Sequence, residues 1–218
     1  MNKKLIIWDW NGTLLSDVDA CVESMNKMLN VREMGRLTHN RYKSIFTFPV
    51  QSYYERLGFD FETDSFEELS IEYIDLYNKQ AINSPLQKGA LESLNFFRSL
   101  NFAQVIISAA EQTLLEKQVE QRGITEYFDS LIGLNNIHAK SKLQNALDYI
   151  NNSNSDVKNA IMIGDTYHDY EVADAMGCMC ILVNNGHQYL NQKEINGSLK
   201  IIDSLDLLPE LFKNYSIT

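Results

Sequence analysis

The sequence predicts an α/β fold: a doubly wound parallel sheet with an all-helical block inserted after its first strand. Three observations carry this. Short apolar runs that end abruptly at a polar residue recur along the chain, as fully buried strands of a parallel sheet do. Segments with helical spacing of apolar residues separate them, the alternation expected of a doubly wound sheet. Between Ser16 and Ser84 that alternation stops, and the whole stretch carries helical patterns with no convincing strand. With 218 residues, 44% of them apolar and 22% charged, the chain can bury a substantial core.

Leu5 to Trp8 reads as the first strand and ends at Asp9, with a turn at Gly12-Thr13. From Asp17, apolar residues at Val18, Cys21, Val22, Met25, Met28 and Leu29 mark a helix. Further helices are expected over Thr38–Phe46, Val50–Leu57 and Ser65–Gln80, with Pro49 separating two of them. After Pro85 come a helix near Ala90–Leu100, a strand at Ala103–Ile107 and a helix from Glu111 to Arg122. A weak strand at Ser130–Ile132, a helix at Lys142–Ile150 and a strand at Ala160–Ile163 follow. Asp169–Met176 is a helix stopped by Gly177, and Cys180–Val183 is the next strand. Ile201–Ile202 forms a short strand before a last helix. The division expected is a core of residues 1–15 and 86–218 and a helical cap of residues 16–85.

Composition excludes some functions. The formal net charge is −10 and no basic stripe is present, so nucleic acid is not an expected partner. The three cysteines, Cys21, Cys178 and Cys180, lack metal-ligand spacing and form no disulfide framework; the latter two read as small hydrophobes near a buried strand. Leu5–Trp8 is too short for a signal-peptide core, and no stretch approaches a membrane span. A soluble, reduced, cytoplasmic protein is the expectation.

Ligands of such sheets bind at the carboxyl ends of the strands. Asp9, Ser108 and Asp165 each follow an apolar run, so the fold would gather them at one edge with the helical block as a lid. Singly each is weak: Ser108 is an ordinary helix N-cap candidate, and Asp165 and Asp169 could cap the helix they precede. Jointly they form a pattern. Asp9-Trp-Asn-Gly-Thr-Leu follows the first strand and Ser108 the next, a basic residue precedes a helix, and Gly164-Asp165-Thr-Tyr-His-Asp169 closes the series.

These segments, in this order over nearly the whole chain, resemble the four motifs of the haloacid-dehalogenase-like (HAD) superfamily, with its Rossmann-like core. The inserted helices resemble the type-one cap of its phosphoglycolate-phosphatase-like branch, as does the Gly186-His187 turn. The resemblance implies that Asp9 is a nucleophile and that Ser108 binds a phosphate oxygen. It also implies that a lysine steadies the phosphate, and that Asp165 and Asp169 form the acidic pair of a metal site.

The chemistry is coherent. A carboxylate nucleophile splits hydrolysis into two steps through an aspartyl-phosphate. It can approach an anionic phosphate only if charge is neutralised, which a Mg²⁺ held by carboxylate oxygens and a lysine would do. The Ser108 hydroxyl and backbone N–H groups after Asp9 and Ser108, including that of Ala109, can hold the equatorial oxygens. Gly12 lets the backbone fold closely around phosphate, and Asp9 is expected to stay ionised. Lys140 and Lys142 both qualify as the lysine, in the absence of the family's usual Lys-Pro; the Ser-Lys pair favours Lys142.

Asn11 is the departure. Family phosphatases carry a second aspartate there, which protonates the leaving oxygen and activates water. Asn can do neither, although its backbone carbonyl can still bind Mg²⁺. Losing an acid/base costs about 10²–10⁴ in rate.

The expected activity is a phosphatase acting on a small anionic metabolite. Alternatives are a phosphonate hydrolase using Lys27 or Lys43 as a cap lysine, a phosphotransferase, and a catalytically impaired ligand-binding protein. The paired acids count against a dehalogenase, and the position of Asp9 against a response-regulator receiver. His39, His138 and His187 show no ligand spacing and are expected on the surface or in loops; His168, inside the last segment, lies nearer the site, with a plain loop role still ahead. Phe46, Phe48, Tyr53 and Tyr54 pack the cap by default, with one or two on the substrate side. Arg41, Lys43 and Arg56 are minor candidates for substrate contact.

Overall fold

A computed structural model describes residues 4–135, 142–152, 157–191 and 199–214. Among these residues, six parallel strands form one sheet in the order β3-β2-β1-β4-β5-β6. They are β1 (Leu5–Trp8), β2 (Ala103–Glu111), β3 (Ser130–Leu134), β4 (Ala160–Gly164), β5 (Met179–Val183) and β6 (Leu199–Ile202). The central strand β1 pairs with β2 on one side and β4 on the other. The chain order reverses at that point, which opens a crevice at the carboxyl end of β1.

Both faces of the sheet are covered, so alternate residues of each strand enter different cores. Ile6 and Trp8 pack with Ile106, Ile163 and Val183 against α5 (Ala90–Ser99), α6 (Gln112–Gln121) and α9 (Leu208–Asn214). Leu5 and Ile7 pack with Val105, Met162 and Leu182 against α7 (Leu143–Asn152) and α8 (Tyr167–Met176). Cys180 and Cys178 are buried in this second cluster as unpaired thiols. No helix among the described residues is long and apolar enough to cross a membrane.

Four helices, α1 (Val18–Val31), α2 (His39–Ile45), α3 (Val50–Leu57) and α4 (Phe66–Ala81), form the cap. They enclose a third core around Met25, Met28, Tyr42, Tyr53, Tyr54 and Tyr77. The chain enters and leaves the cap side by side: Ser16 N–H donates to the Pro85 carbonyl at 2.9 Å, and Leu15 bridges Leu86.

Most expected elements shift by a residue or two, as frayed ends do. One shift matters. The second strand runs on to Glu111, with an irregular register between Ile107 and Glu111. Ser108 is therefore part of the strand rather than a cap after it, and the N-cap of α6 is Glu111, whose carboxylate accepts from Thr113 and Leu114 N–H. The last motif also starts its helix earlier: α8 begins at Tyr167, which puts Asp169 in its first turn.

Candidate active site

Asp9 leaves the end of β1 and is tied to the neighbouring strand by its N–H, which donates to the Ile163 carbonyl at 2.8 Å. Lys142, immediately before α7 and only 2% exposed, donates to Asp9 Oδ1 and to Asp169 Oδ1, the latter at 2.6 Å. Asp169 Oδ2 accepts from Thr166 N–H at 2.9 Å and Thr166 Oγ1 at 2.7 Å, a capping box that fixes its rotamer. Asp165, fully buried after β4, accepts from His187 N–H at 2.6 Å. Ser108 and Ala109, from the extended end of β2, line the same cavity as Asp9, Asn11, Lys142, Asp165 and Asp169. Gly12, expected beside the phosphate, is not among the cavity's lining residues; it has φ +76, and a Cβ there would strike the Asp165 carboxylate and come within 2.5 Å of the His187 ring. Only glycine fits both the turn and the approach. Lys140 and His138 lie outside the described residues.

Burial and repulsion from Asp169 raise the Asp9 carboxyl to about 6 against the pull of Lys142. Burial, with Asp9 and Asp169 nearby, raises Asp165 to about 8 although His187 pulls it down. Asp169 is equally buried, yet Lys142 and its hydrogen bonds to Thr166 hold it below the usual range. The Thr13 hydroxyl sits 3.1 Å from Asp9 Oδ2 and 3.0 Å from Asp165 Oδ1, and its one proton can serve only one of them.

Asp9, Asp165 and Asp169 each present a carboxylate oxygen, all within 4.8 Å of one another. Four buried carboxyl groups, counting Asp17, face two buried basic groups, Lys142 and His187, so with all four ionised the site carries excess negative charge. A divalent ion on the oxygen-only triad would balance that charge, and the donor set suits a hard cation such as Mg²⁺.

Several residues without an assigned role in the sequence organise this site. Asp17 does not cap α1 with its side chain. Its Oδ1 accepts from Gly12 N–H at 2.9 Å and lies 3.4 Å from His187 Nε2; its Oδ2 accepts from Asn11 Nδ2 at 2.8 Å and Tyr77 Oη at 2.6 Å. The expectation of a surface or loop position for His187 is wrong in its burial: the residue is in a loop but only 4% exposed. Its Nδ1 meets Tyr42 Oη at 2.8 Å. Burial opposes its charge, but Asp17 and then Asp165 raise it to about 9, so the ring is a cation at neutral pH. The Gly186-His187 pair is a usable signal for position; nothing in the sequence shows that Asp17 and the cap residue Tyr42 converge on the ring, or that a second cap tyrosine, Tyr77, holds Asp17 in turn. Thr13 reads as a turn residue and in the fold bridges two carboxylates.

The cap candidates divide. Phe46, Phe48, Tyr53 and Tyr54 line the cavity, and so does His168, whose ring stacks on Phe48 at 4.7 Å. Arg41, Lys43 and Arg56 are not among its lining residues, and neither is Lys27. Lys43 Nζ donates instead to the Asn185 carbonyl, and Arg56 to that of Ile45.

Comparison with known proteins agrees with the fold. A family model described as haloacid dehalogenase-like hydrolase matches residues 6–183. The phosphoglycolate phosphatase of Neisseria gonorrhoeae is 24% identical over 222 residues, 96% of this chain and 92% of the relative. That of Photobacterium profundum is also 24% identical, covering 96% of each. Among solved structures, a haloacid dehalogenase-like family hydrolase from Streptococcus pneumoniae superposes with a TM-score of 0.80 at 16% identity, over 96% of this chain and 98% of the other. Protein Tyrosine Kinase A of Mycobacterium tuberculosis gives 0.78 at 20% identity, over 96% and 98%. Structures named for different reactions thus share this fold.

Proposed function

The chain belongs to the haloacid dehalogenase-like hydrolase family, and from that membership we propose that it hydrolyses a small phosphate monoester through an aspartyl-phosphate on Asp9, with Mg²⁺ as cofactor. The observation that carries this reading is a buried Asp9 at the end of β1, gripped by Lys142 and flanked by Asp165 and Asp169 within 4.8 Å. Relatives named phosphoglycolate phosphatase, aligned over nearly their full length, support the monoester class. The three buried, unpaired cysteines suit the cytoplasm.

Asp9, Asp165 and the Asn11 carbonyl would hold the ion, with Asp169 supporting them. Bound there, Mg²⁺ would neutralise charge between carboxylate and phosphate. Lys142 directs Asp9 Oδ1 toward phosphorus, while Oδ2 faces Thr13 and Asp165. Ser108 and the Ala109 N–H receive the phosphate oxygens. Asp9 attacks phosphorus, the ester P–O bond breaks, and its electron pair leaves on the organic oxygen. Water then releases phosphate and regenerates Asp9. Asn11 donates nothing acidic to either step. Residues 1–15 and 86–218 act as the catalytic core and residues 16–85 as a lid. A phosphonatase reading would need a cap lysine over the substrate, and neither Lys27 nor Lys43 lines the cavity.

The test is a phosphate-ester panel with and without Mg²⁺, on wild type and Asp9→Asn, with intact mass for covalent phosphate. Asp9→Asn is expected to lose at least about 10³-fold in kcat and all covalent phosphate, with thermal stability retained. Chelation is expected to abolish wild-type turnover. Wild-type rates in the variant or after chelation would overturn the mechanism. Ligand binding by a wild type that turns nothing over would mark a binding protein instead.

A further inference from the structure

The cavity above Asp9 has two different ends. One holds the carboxylates and Lys142. The other, within the cap, is walled by the rings of Tyr42, Phe46, Phe48, Tyr53, Tyr73 and Tyr77. Among the described lining residues there is no arginine, and Lys142 is the only lysine. Its ammonium is committed to Asp9 and Asp169, and the His187 ring to Asp17 and Tyr42. His168 lies against Phe48 with Nδ1 3.1 Å from Glu171. Glu111 adds an acid to the wall. A carboxylate on the organic half of a substrate, as in phosphoglycolate, would lose its water here and meet no uncommitted lysine or arginine among the described residues.

Two observations say what would fit instead. The cap end is walled by aromatic rings that pack on a flat uncharged ring, and the whole cavity, phosphate end included, measures about 140 Å³, which confines the organic half to a small group. Tyr53, 2% exposed, lines it, and its hydroxyl is buried with no hydrogen-bond partner among the described residues. Buried hydroxyls ordinarily have one. The catalytic end agrees independently. Asn11 supplies no proton, and its Nδ2 is spent on Asp17 and Tyr77, each at 2.8 Å. A leaving oxygen that departs as a stable anion has the least need of that proton.

Resting on the monoester-hydrolase reading, we propose that the substrate is an aryl phosphate: a single uncharged aromatic ring carrying the phosphate on a phenolic oxygen, with a polar ring substituent that pairs with the Tyr53 hydroxyl. Phosphoglycolate, the substrate in the relatives' names, is then a poor ligand. In the reaction the bond from Asp9 Oδ1 to phosphorus forms as the phosphorus–phenolic oxygen bond breaks. The phenolate leaves with the electron pair and takes its proton from solvent.

The experiment is calorimetric titration of Asp9→Asn protein in Mg²⁺ with phenyl phosphate, 4-hydroxyphenyl phosphate, phosphoglycolate, glycerol phosphate and inorganic phosphate. The aryl esters are expected to bind at least about tenfold more tightly than phosphoglycolate. Adding Phe48→Ala is expected to weaken aryl binding about tenfold while leaving inorganic phosphate unchanged. Adding Tyr53→Phe, which keeps the ring and so the packing, is expected to erase the advantage of the hydroxyphenyl ester over the phenyl ester. Phosphoglycolate binding as tightly as the aryl esters, or aryl binding indifferent to Phe48, would overturn the proposal. Binding is read without turnover, so the two readings fail separately. A wild type that binds aryl esters selectively but never hydrolyses them supports the substrate class and removes the hydrolase.

Discussion

The Asn11 carboxamide donates to both Asp17 Oδ2 and Tyr77 Oη, and the same Asp17 oxygen accepts from Tyr77. An aspartate at position 11 would turn the donor into a second carboxylate oxygen in that contact. Two carboxylates so close share a proton, which raises one of them toward the range of a useful acid. Asn11→Asp is therefore expected to speed hydrolysis of alkyl phosphates much more than of aryl phosphates with acidic leaving groups, at a stability cost of about 1–3 kcal/mol. The kcat/KM ratio of variant to wild type across a leaving-group series, with urea unfolding of each protein, checks both; a flat ratio would mean that Asn11 does not limit proton transfer.

His187 gives a pH dependence. Its folded value of about 9 lies above the ordinary 6.5. The stability from its pair with Asp17 is thus fully present below pH 6.5 and is lost as pH rises through about 9. Asp165 acts in the same direction earlier: with a value raised from 3.8 to about 8, ionising it costs more in the fold than in the unfolded chain, so stability falls from about pH 4 to about pH 8. Metal-free protein is expected to lose urea stability from about pH 4 to about pH 9, and His187→Gln to flatten the part above about pH 8. Mg²⁺ is expected to raise Tm more at about pH 8 than at about pH 6, because Asp165 must give up its proton to bind. An equal Mg²⁺ shift at both values would count against Asp165 as a ligand.

At the scale of elements, the site depends on where strands stop and helices start. The extension of β2 to Glu111 brings Ser108 and Ala109 level with Asp9, and the early start of α8 turns Asp169 back toward Lys142. The cap uses similar local devices away from the site. Ser65 accepts from Glu68 N–H while Glu68 Oε2 accepts from Ser65 N–H, a capping box at the start of α4. Ser65→Ala is expected to destabilise the protein by about 1 kcal/mol and to leave kcat unchanged, since these atoms are exposed and outside the cavity lining. Urea midpoints paired with steady-state rates check it; a fall in kcat would tie α4 stability to turnover.

Over the whole molecule, the sheet domain has a core on each face and the cap has one of its own, and the contacts that join them at the site are partly aromatic, with Phe46 against His187 and Phe48 against His168, and partly polar. Tyr42 meets His187, Tyr77 meets Asp17, and Gln188 Nε2 donates to the Phe46 carbonyl at 2.8 Å. Two adjacent stretches of chain near Ser16 and Pro85 join the parts, an arrangement that suits hinge motion of a lid. Tyr42→Phe is expected to increase amide exchange in α2 and α3 on the seconds-to-minutes scale while β1, β2 and β4 stay protected. Faster exchange in the sheet as well would mean that cap and core open as one unit.

The alternating plan was legible in the sequence because buried parallel strands and amphipathic helices leave local periodicities that need no partner to be read. So were the carboxylates, since Asp9, Asp165 and Asp169 stand at fixed offsets from apolar runs, and so was Asn11 as a departure. Which cap side chains reach the core was not. Tyr42 and Tyr77 carry the same helical spacing as any core aromatic, and their hydroxyls find His187 and Asp17 only once the cap is folded over the sheet. Nor could the charge state of His187 be read locally. It is set by burial against carboxylates 22 and 170 residues away along the chain, at Asp165 and Asp17, and electrostatics follows distance through space rather than along the sequence.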